Sequence, residues 1–205
     1  MAHIQIPEKC GVILLPQTVL FPHGVLPLHI FEPRYRQMLD EALEADWLFC
    51  VGNLHGHEEE GFEKAAAPVG TVGLIRTSRL ADSGTSNLLL HGISRVHFKE
   101  WLDEKPYPLA RIEPVLNTTL DAAEERDYIH RLRKAVDKAL SSFPQPVKTQ
   151  VEEILDQSPN PGLLTDAMAH QFIHDPSDRQ ALLNTPEIRK RFDFLIRFLE
   201  SANNS

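Results

Sequence analysis

Ten histidines in a chain of 205 residues raise metal binding first. His55-Gly56-His57-Glu58 is the tightest grouping of ligand-type side chains. Zinc takes about four nitrogen or sulfur donors in a fixed tetrahedron, usually with a second ligand pair at a set distance. This segment offers at most three donors on a glycine hinge, so it reads as part of an exposed polar loop from His55 to Lys64. His91 and His97 flank an expected hairpin and read as hydrogen-bonded strand histidines. Nucleophilic catalysis needs a nucleophile, a base and an orienting group brought together by the fold. Cys50 sits in the apolar run Trp47-Leu48-Phe49-Cys50-Val51, where a thiol behaves as a small buried hydrophobe. Ser83, Ser86 and Ser94 fall in turn-like sequence, none within a G-x-S-x-G elbow. No G-x-x-x-x-G-K-[ST] loop occurs to cradle phosphates. These residues argue against an enzyme, and no metal or cofactor is expected.

What remains is apolar, extended chemistry. Phe21, Pro22, His23, Leu26, Phe31 and Tyr35 form the candidate site, with Val25 and Pro27 in the same segment. Proline removes backbone donors, which suits a strand at a sheet edge. If Phe21, Phe31 and Tyr35 line an open groove, an unfolded polypeptide can lay apolar side chains into it. The competing role for the same aromatics is to close the core against the following helix. Trp47, Trp101 and Tyr107 carry a second reading, a small molecule or modified base held in an aromatic barrel mouth.

The elements that would position these groups follow from periodicity. Pro33 suits the first turn of a helix, Glu32 places negative charge at its positive end, and Tyr35, Met38, Leu39, Ala42 and Leu43 share one face. Around it lie short apolar runs broken by Gly, Pro, Asn and Ser: 12–15, 25–30, 47–53, 70–76, 87–90, 95–101 and 109–116. Seven short strands with one helix predict a closed or nearly closed, mostly antiparallel barrel. In the run from Arg95 to Trp101, Val96 and Phe98 are expected on the buried side. After Asn117 glycine almost vanishes and apolar spacing changes to three and four. A long helix is predicted from near Leu120 with Thr119 as cap, then shorter helices around Val151 and Met168, one capped by Asp175, and a last one through Phe192 and Leu199. The expected fold is α+β, with a β-rich barrel-like part over 1–117 and a helical part over 118–205.

Composition limits the partners. A net charge of −8 argues against nucleic acid and anionic membranes, both of which attract clustered positive charge. Arg189-Lys190-Arg191 reads as a solvated helix face. Two cysteines, Cys10 and Cys50, give no disulfide framework and suit a reducing compartment. MAHIQIPEKC lacks signal-peptide character, and no run approaches the length of a membrane span, so a cytoplasmic protein is expected.

In this order the pieces resemble the Lon N-terminal (LON substrate-binding) domain, and more closely its free-standing bacterial versions. The resemblance is carried by Val12-Ile13-Leu14-Leu15-Pro16, by Val19-Leu20-Phe21-Pro22-His23-Gly24, and above all by Leu26-Pro27-Leu28-His29-Ile30-Phe31-Glu32-Pro33-Arg34-Tyr35-Arg36. Val69-Gly70-Thr71-Val72-Gly73 and Leu90-His91-Gly92-Ile93-Ser94-Arg95 add to it. At Pro22-His23-Gly24 the chain departs from the family, in which glycine commonly follows the proline directly. The resemblance implies a small PUA-like barrel with a helical subdomain and a non-catalytic module that binds unfolded or flexible polypeptide. It further implies a role in selecting unstable proteins for degradation, with a protease or chaperone as partner, because the ATPase and peptidase modules of full-length Lon are absent from this sequence. The oligomeric state stays open.

Overall fold

Strand β1 (Lys9–Pro16) is apolar on both faces, and its side chains enter two different cores, as the alternation of a strand requires. It is followed by β2 (Val25–Ile30), helix α1 (Pro33–Glu44), β3 (Leu48–Leu54), a 3₁₀ turn (Glu58–Glu60), α2 (Phe62–Ala65), β4 (Val69–Leu80), β5 (Ser86–Leu102) and β6 (Leu109–Pro114). Helices α3 (Ala122–Ala139), α4 (Gln145–Gln157), α5 (Pro161–Phe172), α6 (Pro176–Leu183) and α7 (Ile188–Ser201) complete the chain. The computed structural model describes residues 4–158 and 160–201.

The strands form one mixed sheet in the order β2-β5-β4-β3-β1-β6, and β5 pairs also with β6. Pairing therefore runs in a circuit through β5, β4, β3, β1 and β6, with β2 outside it on a single neighbour. The sheet is mostly antiparallel, as the sequence suggests, with one parallel pair. β1 and β3 run parallel, from Val12 opposite Cys50 to Pro16 opposite Leu54, because α1 supplies the long return that parallel pairing needs. A difference lies in β5, where two expected strands, 87–90 and 95–101, are one of 17 residues. Gly92 lies between them not as a breaker but because a Cβ there would run into the Phe21 carbonyl. Val96 and Phe98 are buried as expected.

One core packs α1, through Tyr35, Met38, Leu39 and Ala42, on Ile13, Phe49, Val51, Ile75, Leu88 and Leu90. The other fills the opposite side of the sheet with Val12, Leu14, Cys50, Val72, Val96, Phe98 and Ile112. Helix α6, capped by Asp175 with Pro176 in its first turn, belongs to this same unit, which comprises the chain up to Val115 together with His174–Asn184. The Arg179 guanidinium donates to the Val19 carbonyl (2.9 Å) and lies 5.1 Å over the Phe21 ring, and Gln180 donates to the Val69 carbonyl (2.9 Å).

The second unit comprises Leu116–Ile173 and the chain from Thr185 onward. Its long helix α3 is capped by Asp121, two residues after the expected Thr119, in a reciprocal capping box with Glu124. α5 starts at Pro161 under an Asn160 cap, whose side chain accepts from Leu163 N–H. Phe192, Leu195 and Leu199 of α7 are buried, and Tyr128 of α3 stacks on Phe192 at 5.1 Å. The Arg191–Asp166 pair at 2.5 Å is enclosed, with side chains 1% and 3% exposed, and Asn117 accepts a further Arg191 bond at 2.9 Å.

Candidate binding face

The turn at Pro22-His23-Gly24 sets the candidate site. Gly24 N–H donates to the Phe21 carbonyl (3.0 Å), while His23 N–H donates to Gly92 O and Gly92 N–H to Gly24 O (2.8 and 2.9 Å). Two residues of this strand thus face one of β5, a β-bulge, and His23 adopts φ +63° to make it. Glycine accepts that backbone conformation most easily, so histidine carries strain here. The bulge also fixes the phase of β2. Gly24 faces β5, so Leu26, Leu28 and Ile30 do as well, opposite Leu90, Leu88 and Ser86. The backbone groups of Val25, Pro27 and His29 then point to the free edge, where Pro27 has no N–H to offer.

The aromatic residues of the segment divide between core and surface. Phe21 is fully buried, Pro22 is buried, and Tyr35 is 3% exposed. These close the core. The Tyr35 hydroxyl accepts from Leu14 N–H at 3.2 Å, and burial pushes its pKa up. Leu26 is half-buried and packs on the α1 core. Phe31 is 61% exposed and stacks on His29 with ring centroids 6.0 Å apart. His23 is exposed and meets His91 edge-on at 6.1 Å.

Phe31 does not stand alone. Val25 and Leu89 are also large exposed apolar side chains, and strand pairing places Pro27 opposite Leu89 and Leu89 opposite Thr77. Pro27, Leu28, His29, Leu88, Leu89, Asn87, Thr77 and Arg79 surround a shallow depression of about 620 Å³ on β2, β5 and β4. The His29 imidazole donates from Nδ1 to Asn87 Oδ1 at 2.8 Å, bracing the two strands at one end. At the other end His91, half-buried, has a lowered pKa, chiefly through burial and then through Arg76 and His23. Leu89, His29, Asn87, Thr77 and Arg79 were not foreseen as site residues. Leu88-Leu89-Leu90 reads as one apolar run, and only its register shows that the middle leucine faces out.

The other chemistry considered from the sequence sits elsewhere. Glu58 of the His55–Glu58 segment is held by Arg34, with bonds of 2.6 and 3.0 Å, and Glu32 bonds the same guanidinium at 3.0 Å. Among the described residues no group of three or more His, Cys, Asp or Glu is placed to hold a metal. Contrary to expectation, buried His97 Nδ1 has no hydrogen-bond partner among the described residues. Cys10 and Cys50 are free and buried, and burial raises the Cys50 thiol pKa further. Tyr107 bonds Glu41 at 2.7 Å and lines a recess of about 200 Å³ beside Cys10, Gly11 and Met38, whose walls include neither tryptophan. Trp101 packs instead between Phe62 and Phe98, each at 5.1 Å, while Trp47 is exposed at the end of α1 with φ +64°.

Comparison with known proteins adds to this geometry. The ATP-dependent protease La (LON) substrate-binding domain matches residues 9–201. A Lon protease of Methylocella silvestris is 29% identical over 94% of this chain and 24% of its own length. One from Anaeromyxobacter dehalogenans is 27% identical over 95% of this chain and 23% of its own. The chain thus spans about a quarter of the length of the curated relatives it matches. Among solved structures, the N-terminal domain of the Mycobacterium avium complex Lon protease superposes with a TM-score of 0.72 at 12% identity, covering 94% of this chain and 98% of that one. A Lon N-terminal domain protein from Xanthomonas campestris gives 0.63 at 18%, covering 92% and 97%.

Proposed function

The chain belongs to the LON substrate-binding domain family, and on that premise we propose that it binds unfolded or flexible polypeptide on the outward face of β2 and β5, without chemistry on the bound chain. The observation that carries this is the exposed row of Val25, Pro27, Phe31 and Leu89 around a shallow depression, on a strand with one free edge. A large exposed apolar side chain gains free energy when covered, at roughly 25 cal/mol per Å² removed from water. A flexible polypeptide can supply the cover by conforming to an open face. In the cell the bound segment belongs to an unstable protein, and a cytoplasmic protease or chaperone partner receives it. No helix among the described residues is long and apolar enough to cross a membrane.

The test is a fluorescence-anisotropy titration of labelled, unfolded casein against the wild-type chain and against Phe31→Ser/Leu89→Ser. The double variant should bind at least tenfold more weakly with its circular dichroism unchanged. Equal binding by the two proteins would overturn the placement, and cleavage of the casein by the purified chain would overturn the non-catalytic reading.

A further inference from the structure

The depression is lined by apolar side chains together with an arginine. Among its lining residues Arg79 is the one full charge, His29 is bonded to Asn87, and no carboxylate is present. Arg76 lies at the register shift of β4, beside His91. Both arginines are exposed, and neither has an ion-pair partner among the described residues. Other cations of the sheet have carboxylate partners. Lys99 pairs with Glu113 at 3.3 Å, and Arg111 pairs with Glu100 at 3.2 Å and with Glu8. Of the acidic residues nearest in sequence, Glu32 is turned to Arg34 and Asp82 lies in the β4–β5 turn. In a chain of net charge −8, two arginines of one strand that lack an ion-pair partner among the described residues, one of them lining an apolar depression, are a local reversal of sign.

We infer that this face selects extended segments in which apolar residues are interspersed with aspartate or glutamate, the carboxylates meeting Arg76 and Arg79 while the apolar side chains cover Leu89, Pro27 and Phe31. The inference rests on the polypeptide-recognition reading above and adds the chemistry of the bound segment. Pro27 decides how such a segment lies. A strand added to the free edge of β2 would find no donor at its centre, so the segment crosses the face and is held by side chains rather than by extending the sheet.

Three labelled peptides with the same apolar residues, and Asp, Asn or Lys at two intervening positions, distinguish the cases in anisotropy titrations with the full chain. Each exposed pair is a modest electrostatic gain, so at low salt the Asp peptide should bind about tenfold tighter than the Asn peptide, and the Lys peptide weakest. The gap should close at high ionic strength and in Arg76→Gln/Arg79→Gln. Arg76→Glu/Arg79→Glu should reverse it in favour of the Lys peptide, a gain that a misfolded variant cannot give. N-methylation of the peptide backbone should leave the order unchanged. Equal affinity of the Asp and Asn peptides, abolished by Phe31→Ser/Leu89→Ser, overturns the charge selection and leaves polypeptide recognition standing. Absence of binding by all three overturns both.

Discussion

Phe21 is the residue whose two possible roles lead to opposite experimental outcomes. Its ring is fully buried, with the Arg179 guanidinium 5.1 Å from its centre, and its carbonyl is clamped against Gly92. Phe21→Ala removes the ring from a site whose walls, including the backbone of β5, cannot collapse inward. Such truncations cost about 3–5 kcal/mol. With an m value of about 2 kcal/mol/M in urea, the unfolding midpoint falls by about 2 M. Both tryptophans of the chain, Trp47 and Trp101, lie in the unit that contains Phe21, so their fluorescence follows the transition of interest. Phe31→Ala is the control: with its ring mostly in water, its midpoint should move by less than about 0.5 M. A Phe21→Ala midpoint within about 0.5 M of wild type, combined with lost peptide binding, would refute the argument and return Phe21 to the binding surface.

Three further outcomes are expected. His23→Gly relieves a left-handed backbone that costs a side-chain-bearing residue about 1–2 kcal/mol, partly offset by about 0.5–1 kcal/mol of glycine chain entropy. The urea midpoint should therefore rise slightly, and a clear fall would contradict the strain. Asp166→Ala strands the enclosed Arg191 charge and should cost about 3–5 kcal/mol, whereas Asp166→Leu/Arg191→Met should come close to wild type. Hydrogen exchange of α5 and α7 amides reads this directly, and an equally damaging double variant would argue against it. Glu41 accepts bonds from Lys105, Tyr107 and Gln37, which lower its pKa to about 2 from 4.5. Its contribution is then present above about pH 4.5 and is lost as the pH falls towards 2. Because the carboxylate is well exposed, screening holds the loss to about 1 kcal/mol or less. The stability gap between wild type and Glu41→Gln should narrow over that interval, and a constant gap would show that the bonds do not shift the group.

Much of the fold was legible because local rules and tertiary packing agree. The Pro33 helix has its proline at the start and Tyr35, Met38, Leu39 and Ala42 on one buried face, as spacing predicts. Asp175-Pro176 likewise opens a helix where it should. What escaped was long-range. Nothing local in KCGVILLP says that its partner runs parallel, since that depends on which strand α1 returns the chain to. The periodicity of α6 resembles that of its neighbours, yet this helix is grouped with the sheet through Arg179 and Gln180, polar residues whose bonds to Val19 and Val69 span more than 100 positions. The candidate site was half legible for the same reason. Its segment was singled out from proline and aromatic content, and the exposed face includes Val25, Pro27 and Phe31 of it. Which aromatic turns outward depends on the bulge at His23, and Leu89 joins the face only through its register with Pro27.

The most direct test of the account is to map the bound polypeptide on the protein by amide chemical-shift changes during titration with an unlabelled, unfolded peptide. The largest changes should fall on β2 and on the first half of β5, at Val25, His29, Phe31, Asn87 and Leu89, with smaller ones at Thr77 and Arg79. Changes centred instead on the recess formed by Cys10, Gly11, Met38 and Tyr107, or on the helices of the second unit, would contradict it.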